Sequence, residues 1–218
     1  MTLKVLHINS LSSGGAFNGS YRLHCALAKN GVDSTMITRD KPNESNNYKV
    51  LNCINKISRQ SYLTRISTKL GFPITAKEKI FSYSANYNGS YETINFPFSD
   101  YDIMQTDLYQ EADIIHLHWV ANFIDYERFF KANKKPVVIT MRDLFPLQGI
   151  FHYACDVKNN PHLLEIENKV RQLKLNAVNN AKCKIYITGI SKWITEKSKN
   201  SNIHKHFNHF TIPNCLNV

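Results

Sequence analysis

The first forty residues constrain the fold more than any other stretch. An apolar run, Leu3-Lys4-Val5-Leu6-His7-Ile8-Asn9, leads into Ser12-Ser13-Gly14-Gly15-Ala16. A helical pattern follows through Tyr21, Leu23, Cys25, Ala26, Leu27 and Ala28, and closes at Asn30-Gly31. A second short run, Ser34-Thr35-Met36-Ile37-Thr38, comes next. Strand, glycine turn, helix and strand make a β-α-β unit. A glycine turn at a helix N-terminus aims free N–H groups and the positive end of the helix dipole at one spot, which suits an anion.

The alternation continues along the chain. Tyr48 to Cys53 predicts a short strand after an Asn-rich loop, Asp40 to Asn47. Ile54 to Leu70 predicts a helix, and Gly71 to Asn95 is irregular, with Tyr83, Tyr87 and Tyr91 as a packing stripe. Phe96-Pro97-Phe98 ends any regular element there. A helix is predicted to end over Tyr109 to Ala112, followed by a buried strand over Asp113 to Trp119. Tyr126 to Asn133 predicts a helix and Pro136 to Thr140 a strand. Leu163 to Asn180 is a long helix, Lys184 to Ile190 a strand, and Ser191 caps a helix through Lys199. His209 to Asn214 holds a last short strand and its exit loop. This pattern predicts an α/β fold: a Rossmann-like, doubly wound parallel sheet flanked by helices. Ligands in such sheets bind beyond the carboxyl ends of the strands, so the loops after Asn9, His118, Thr140 and Gly189 are the candidates.

Charge narrows the partners. The chain has 27 Lys+Arg against 17 Asp+Glu, a formal charge of +10, which implies an acidic partner. Nucleic acid, anionic lipid and a phosphorylated substrate all qualify. No RNP, zinc-finger or helix-turn-helix signature is present, so nucleic acid is not expected. Five scattered cysteines without a C-x-x-C read as free thiols in a reducing compartment. No apolar run approaches the ~20 residues that cross a bilayer, and no secretory pattern opens the chain. The expected location is cytoplasmic.

Four segments carry a resemblance. They are Lys4-Val5-Leu6-His7-Ile8-Asn9 with Ser13-Gly14-Gly15-Ala16 and Tyr21-Arg22-Leu23-His24; Ala112 to Val120; Thr140-Met141-Arg142-Asp143-Leu144-Phe145-Pro146-Leu147-Gln148-Gly149 with His152-Tyr153; and Gly189-Ile190-Ser191-Lys192-Trp193 with Ile212-Pro213-Asn214. In order and spacing the chain resembles the N-terminal half of a GT-B glycosyltransferase of family 4, of the colanic-acid and capsular polysaccharide type. The resemblance implies a Rossmann-like N-terminal domain over 1–212 and the start of an interdomain linker over 213–218. The C-terminal, donor-binding domain has no counterpart in this sequence.

The resemblance also assigns roles. Gly14 and Gly15 would line the donor diphosphate; their other reading is a tight turn alone. His118 would contact the transferred sugar. Its alternatives are a core histidine, or a metal pair with His116, which two ligands leave incomplete; His116 is read as structural. Arg142 stands where the family usually has His. An Arg stays protonated and cannot act as a base, but its fork can clamp phosphate or carboxylate. Asp143 would bond a sugar hydroxyl or take its proton, or else cap a helix. Read from the residues themselves, Asn9 lies in a loop the acceptor would approach, Trp119 is a core anchor or, beside His118, a sugar platform, and Ser191 would cap its helix or help bind an anion. Trp193 is read as a core anchor. Only Cys155 remains where some relatives carry a cysteine cluster, so no metal is expected. The tract His204 to His209 is read as exposed.

The expected function follows from the resemblance: the acceptor-binding half of a retaining, metal-independent hexosyltransferase of surface polysaccharide biosynthesis. It would take a nucleotide-sugar donor and a glycan or lipid-linked glycan acceptor, near an anionic inner membrane that its positive charge favours. The alternative is a non-catalytic module that keeps the fold and binds a glycan or a partner chain.

Overall fold

The computed structural model describes residues 2–42, 49–55 and 87–216. Seven parallel strands form one sheet: β1 (Lys4–Asn9), β2 (Asp33–Thr38), β3 (Val50–Asn52), β4 (Ile114–Leu117), β5 (Val137–Met141), β6 (Ile185–Gly189) and β7 (Asn208–Thr211). Their order is β3-β2-β1-β4-β5-β6-β7. The chain builds outward from β1 in one direction, then returns and builds the other way from β4. That reversal makes a switch point between β1 and β4, where doubly wound sheets open a crevice at their carboxyl edge.

The described helices are α1 (Gly14–Lys29), α2 (Asp107–Glu111), α3 (Tyr126–Ala132), α4 (Ala154–Asn159), α5 (Leu164–Asn179) and α6 (Lys192–Lys199). The alternation and every strand expected from the sequence are present. Helix α4 has no counterpart in the sequence pattern, because it is short and lacks an apolar stripe. The helix expected over 54–70 lies almost wholly outside the described residues, as do Tyr83 and most of the Asn-rich loop. Tyr87 and Tyr91 pack at the edge of a small aromatic cluster with Phe96, Phe98 and Phe151. None of the described helices is long and apolar enough to cross a membrane.

The two faces of the sheet differ sharply. Leu6, Ile8, Ile115, Leu117, Val137, Ile139, Ile185 and Ile187 point to one side, into the main core with Phe129, Phe130 and Ile194. Burying each such side chain stabilises the fold by about 1.5–3 kcal/mol. The opposite face, where α1 lies, carries His7, Asn9, Ser34, Thr38, His116, Thr140 and Thr188, all buried. Buried parallel strands usually read as continuous apolar runs. The polar residues here survive burial because they find hydrogen-bond partners within the fold.

Two buried charges on α5 hold the loop after β5. The Glu167 carboxylate accepts N–H groups from Gly149 at 2.5 Å, Ile150 at 2.7 Å and Phe151 at 3.4 Å. Lys174 Nζ donates to the carbonyls of Phe145 at 2.6 Å and Gln148 at 2.9 Å, and sits 3.2 Å from the centre of the Phe145 ring. Burial pushes the Lys174 ammonium well below its usual range, against the opposing pull of Glu167.

Candidate functional site

The loops that follow β1, β4, β5 and β6 stand side by side because those strands are neighbours. At the first, Gly14 takes φ +85°, a left-handed conformation that other residues adopt at a cost. Ser13 precedes α1, but its side chain caps nothing, and no acidic residue lies in the first turn. Ser13, Gly14 and Gly15 are exposed, and a Cβ on either glycine would meet only open space. The N-terminus of this 16-residue helix is thus uncapped and open to an anion.

Asn9 lies at the end of β1 and is fully buried. Its Oδ1 accepts the Trp119 N–H at 3.1 Å and its Nδ2 donates to the Leu11 carbonyl at 2.7 Å. Both ends of the amide are spent tying the β1 loop to the β4 loop. The expected contact of Asn9 with substrate is therefore not available in this arrangement.

His118 does not face an open cleft. It is only 2% exposed, and both ring nitrogens are engaged. The Arg142 guanidinium lies 3.4 Å from Nδ1, and His7 Nδ1 lies 2.9 Å from Nε2. These contacts order the protons: Arg142 donates to Nδ1, Nε2–H of His118 donates to His7, and Nε2–H of His7 has no partner. Desolvation, then the neighbouring His116 and His7, push the His118 pKa well below its usual value. The ring is neutral at physiological pH. It acts here as a support for Arg142, and the sugar contact expected of it would require the loop to open. The alternation of strand residues puts His118 on the α1 face, but no local pattern signals that this face is sealed there.

Arg142 packs between α1 and His118. A Cβ at Gly19 would collide with its Nη1, so glycine at that position makes room for the guanidinium. Nη1 donates to Asn214 Oδ1 at 2.7 Å, and Nε is buried without a partner. Desolvation lowers its pKa to about 10.

Asp143 is the centre of a polar cluster. Its Oδ2 accepts from Trp119 Nε1 at 2.9 Å and from His152 Nδ1 at 2.6 Å, and its Oδ1 accepts the Phe145 N–H at 3.0 Å. The last bond makes a local turn, so Asp143 caps no helix. Asn95 Nδ2 bonds His152 Nε2 at 3.0 Å, which leaves Nδ1 to carry the proton toward Asp143. The Trp119 ring stacks on His152 with centroids 5.4 Å apart. Sequence reasoning misses His152 as a partner of Asp143, because a pairing across nine residues of loop carries no periodic signal. His118, Trp119, Arg142 and Asp143 surround a cavity of about 10 Å³, room for one water and no sugar.

Ser191 caps α6, accepting the Ile194 N–H at 3.3 Å, and is exposed. Trp193 is 58% exposed and is no core anchor. His204 is buried, not exposed, and with His209 it meets Ser198 Oγ at 2.9 and 3.0 Å. All five cysteines are free thiols.

His7, His116 and His118 bring possible ligand atoms within 4.8 Å of one another, the one such group among the described residues. A cation there would face the Arg142 guanidinium and break the His118–His7 bond. No carboxylate among the described residues joins the set. The donors suit a neutral hydrogen-bonded cluster better than a divalent ion.

No protein-family model matches the chain, and no curated protein matches it.

Proposed function

We propose that this chain is the acceptor-binding half of a retaining glycosyltransferase, which moves a hexose from a nucleotide sugar to a glycan or lipid-linked glycan. The observation that carries this reading is the open, uncapped N-terminus of α1 beside the β1/β4 switch point, next to the loops that hold Arg142 and Asp143. The Gly14 and Gly15 N–H groups would receive the charge that develops on the leaving diphosphate. With the loops around the small cavity opened, Asp143 would orient or deprotonate the acceptor hydroxyl, and Trp119 would form the acceptor wall. Arg142 would clamp an anionic group of either substrate. A second domain would close over this edge and exclude water. No metal takes part in this scheme.

A specific observation favours a second reading. His118 is sealed and bonded to the guanidinium that replaces the family's usual histidine. A module that keeps the fold but binds without turnover would tolerate that arrangement.

Titration with UDP-glucose, GDP-mannose and inorganic pyrophosphate, read by amide NMR shifts, tests the first reading. Shifts centred on the turn, at Ser13, Gly14, Gly15 and Ala16, are expected. Their absence at millimolar ligand, with shifts only on glycan addition, would favour the module.

A further inference from the structure

The α1 face of the sheet is not covered evenly. Among the described residues, beyond α1 and over β4 to β7, lies an open groove of about 350 Å³. Its floor is a polar rung: His116 Nε2 meets Thr140 Oγ1 at 2.7 Å, and Thr140 Oγ1 meets Thr188 Oγ1 at 2.7 Å. These groups satisfy one another and ask nothing of a ligand. The walls are apolar. Leu23 and Leu27 come from one stripe of α1, facing Val138, Ile190, Phe210 and Ile212. Phe210 and Ile212 are half exposed and line the same groove.

One end of the groove differs. Arg142 and Asn214 line it at the carboxyl edge of the sheet. Arg142 pairs with no carboxylate among the described residues; its partners are the Asn214 amide oxygen and a neutral imidazole. A desolvated guanidinium beside neutral histidines repels cations and attracts an anion. A partly buried, desolvated cation without a counterion is unfavourable, and an incoming carboxylate or phosphate would relieve it.

We propose that this groove binds a single-chain amphiphile, an acyl or prenyl chain ending in a carboxylate or phosphate, with its anionic head on Arg142 and its chain between α1 and β7. The groove volume falls in the range of small-molecule sites, which are mostly apolar with a few placed polar groups. The groove runs from Arg142 at the carboxyl edge toward Val138 and Leu27, which suits a chain more than a compact ring. The assignment shares Arg142 with the reading above but not the α1 N-terminus; binding of dodecanol and its loss in Phe210→Asp report on the groove alone.

The test is calorimetry with the whole chain and three single-chain ligands below their micellar concentrations: dodecanoate, dodecyl phosphate and dodecanol. The two anions should bind one per chain, at least tenfold tighter than dodecanol. Arg142→Gln should bring the anions down to the level of dodecanol and leave dodecanol unchanged. Phe210→Asp, at an exposed position, should weaken all three tenfold or more without unfolding the chain. Whichever anion binds tighter identifies the source as a fatty acid or a lipid phosphate. Equal affinity for dodecanol and the anions, or anion binding that survives Phe210→Asp, would overturn the proposal. So would an absence of one-to-one binding, with or without a dimer that Phe210→Asp dissociates; such a dimer would make the groove an interface between copies.

Discussion

His7 Nδ1 and His118 Nε2 lie 2.9 Å apart, two imidazoles from neighbouring stretches of the sheet bonded to each other in the interior. The registration of β1 on β4 sets His7 opposite His116, and the His24 ring of α1 packs 5.7 Å from that of His7. Four histidines thus meet beside Arg142.

This cluster makes the fold sensitive to acid. Desolvation, first of all, depresses the pKa values of His7, His116 and His118, that of His116 to about 3 from 6.5. Below about pH 6.5 the unfolded chain binds protons that the folded chain refuses. Stability is therefore full above that pH and falls as pH drops toward 3, by up to about 1.4 kcal/mol per pH unit for each histidine. Urea midpoints should fall between pH 7.5 and pH 5, and His116→Gln should flatten the trend. Equal midpoints at the two pH values would count against a neutral buried cluster.

Asp143→Ala should destabilise the chain by about 1–3 kcal/mol, because it strips the acceptor from the buried His152 Nδ1–H and from Trp119 Nε1–H. Asp143→Asn should cost less. Denaturant unfolding followed by tryptophan emission reads both. If Asp143 also handles the acceptor, Asp143→Asn should abolish transfer in an assembled enzyme while the fold survives.

Gly149→Ala tests the loop tether. A Cβ there would collide with the Glu167 carbonyl oxygen, which is backbone and cannot swing away. A loss of about 1–3 kcal/mol is expected. Glu167→Gln should also destabilise, since three N–H groups share that carboxylate. An unchanged midpoint in either variant would show that the loop is held elsewhere.

Gly14 and Gly15 separate conformation from function. Gly14→Ala should cost about 1–2 kcal/mol, the penalty of a left-handed residue with a side chain. Gly15 has ordinary backbone and open space at its Cβ. Gly15→Ala should stay within about 0.5 kcal/mol of wild type yet weaken pyrophosphate binding, measured by calorimetry. If Gly15→Ala binds pyrophosphate as wild type does, the turn is only a turn.

Much of the fold is legible along the chain. The strand of Lys4 to Asn9, its glycine turn and its helix are local facts: a short apolar run, a residue able to take positive φ, a repeat near 3.6. The same holds for Val137 to Met141 and Ile185 to Gly189. Helix α4 escapes such reading because six residues with one buried member, Asp156, carry no period.

The candidate site is legible only as a set of loops. That the loops after β1, β4, β5 and β6 are neighbours needs the strand order, which no local pattern encodes. Asp143 with His152, Arg142 with Gly19, and Lys174 with the Phe145 carbonyl are contacts between distant positions. The residue types at Asn9 and His118 promise chemistry, and packing spends their polar atoms on structure. Sequence alone determined the strands and the longer helices, because backbone conformation answers to near neighbours. Tertiary structure decided which polar groups stay free, because burial and pairing depend on what the rest of the chain brings to the same place.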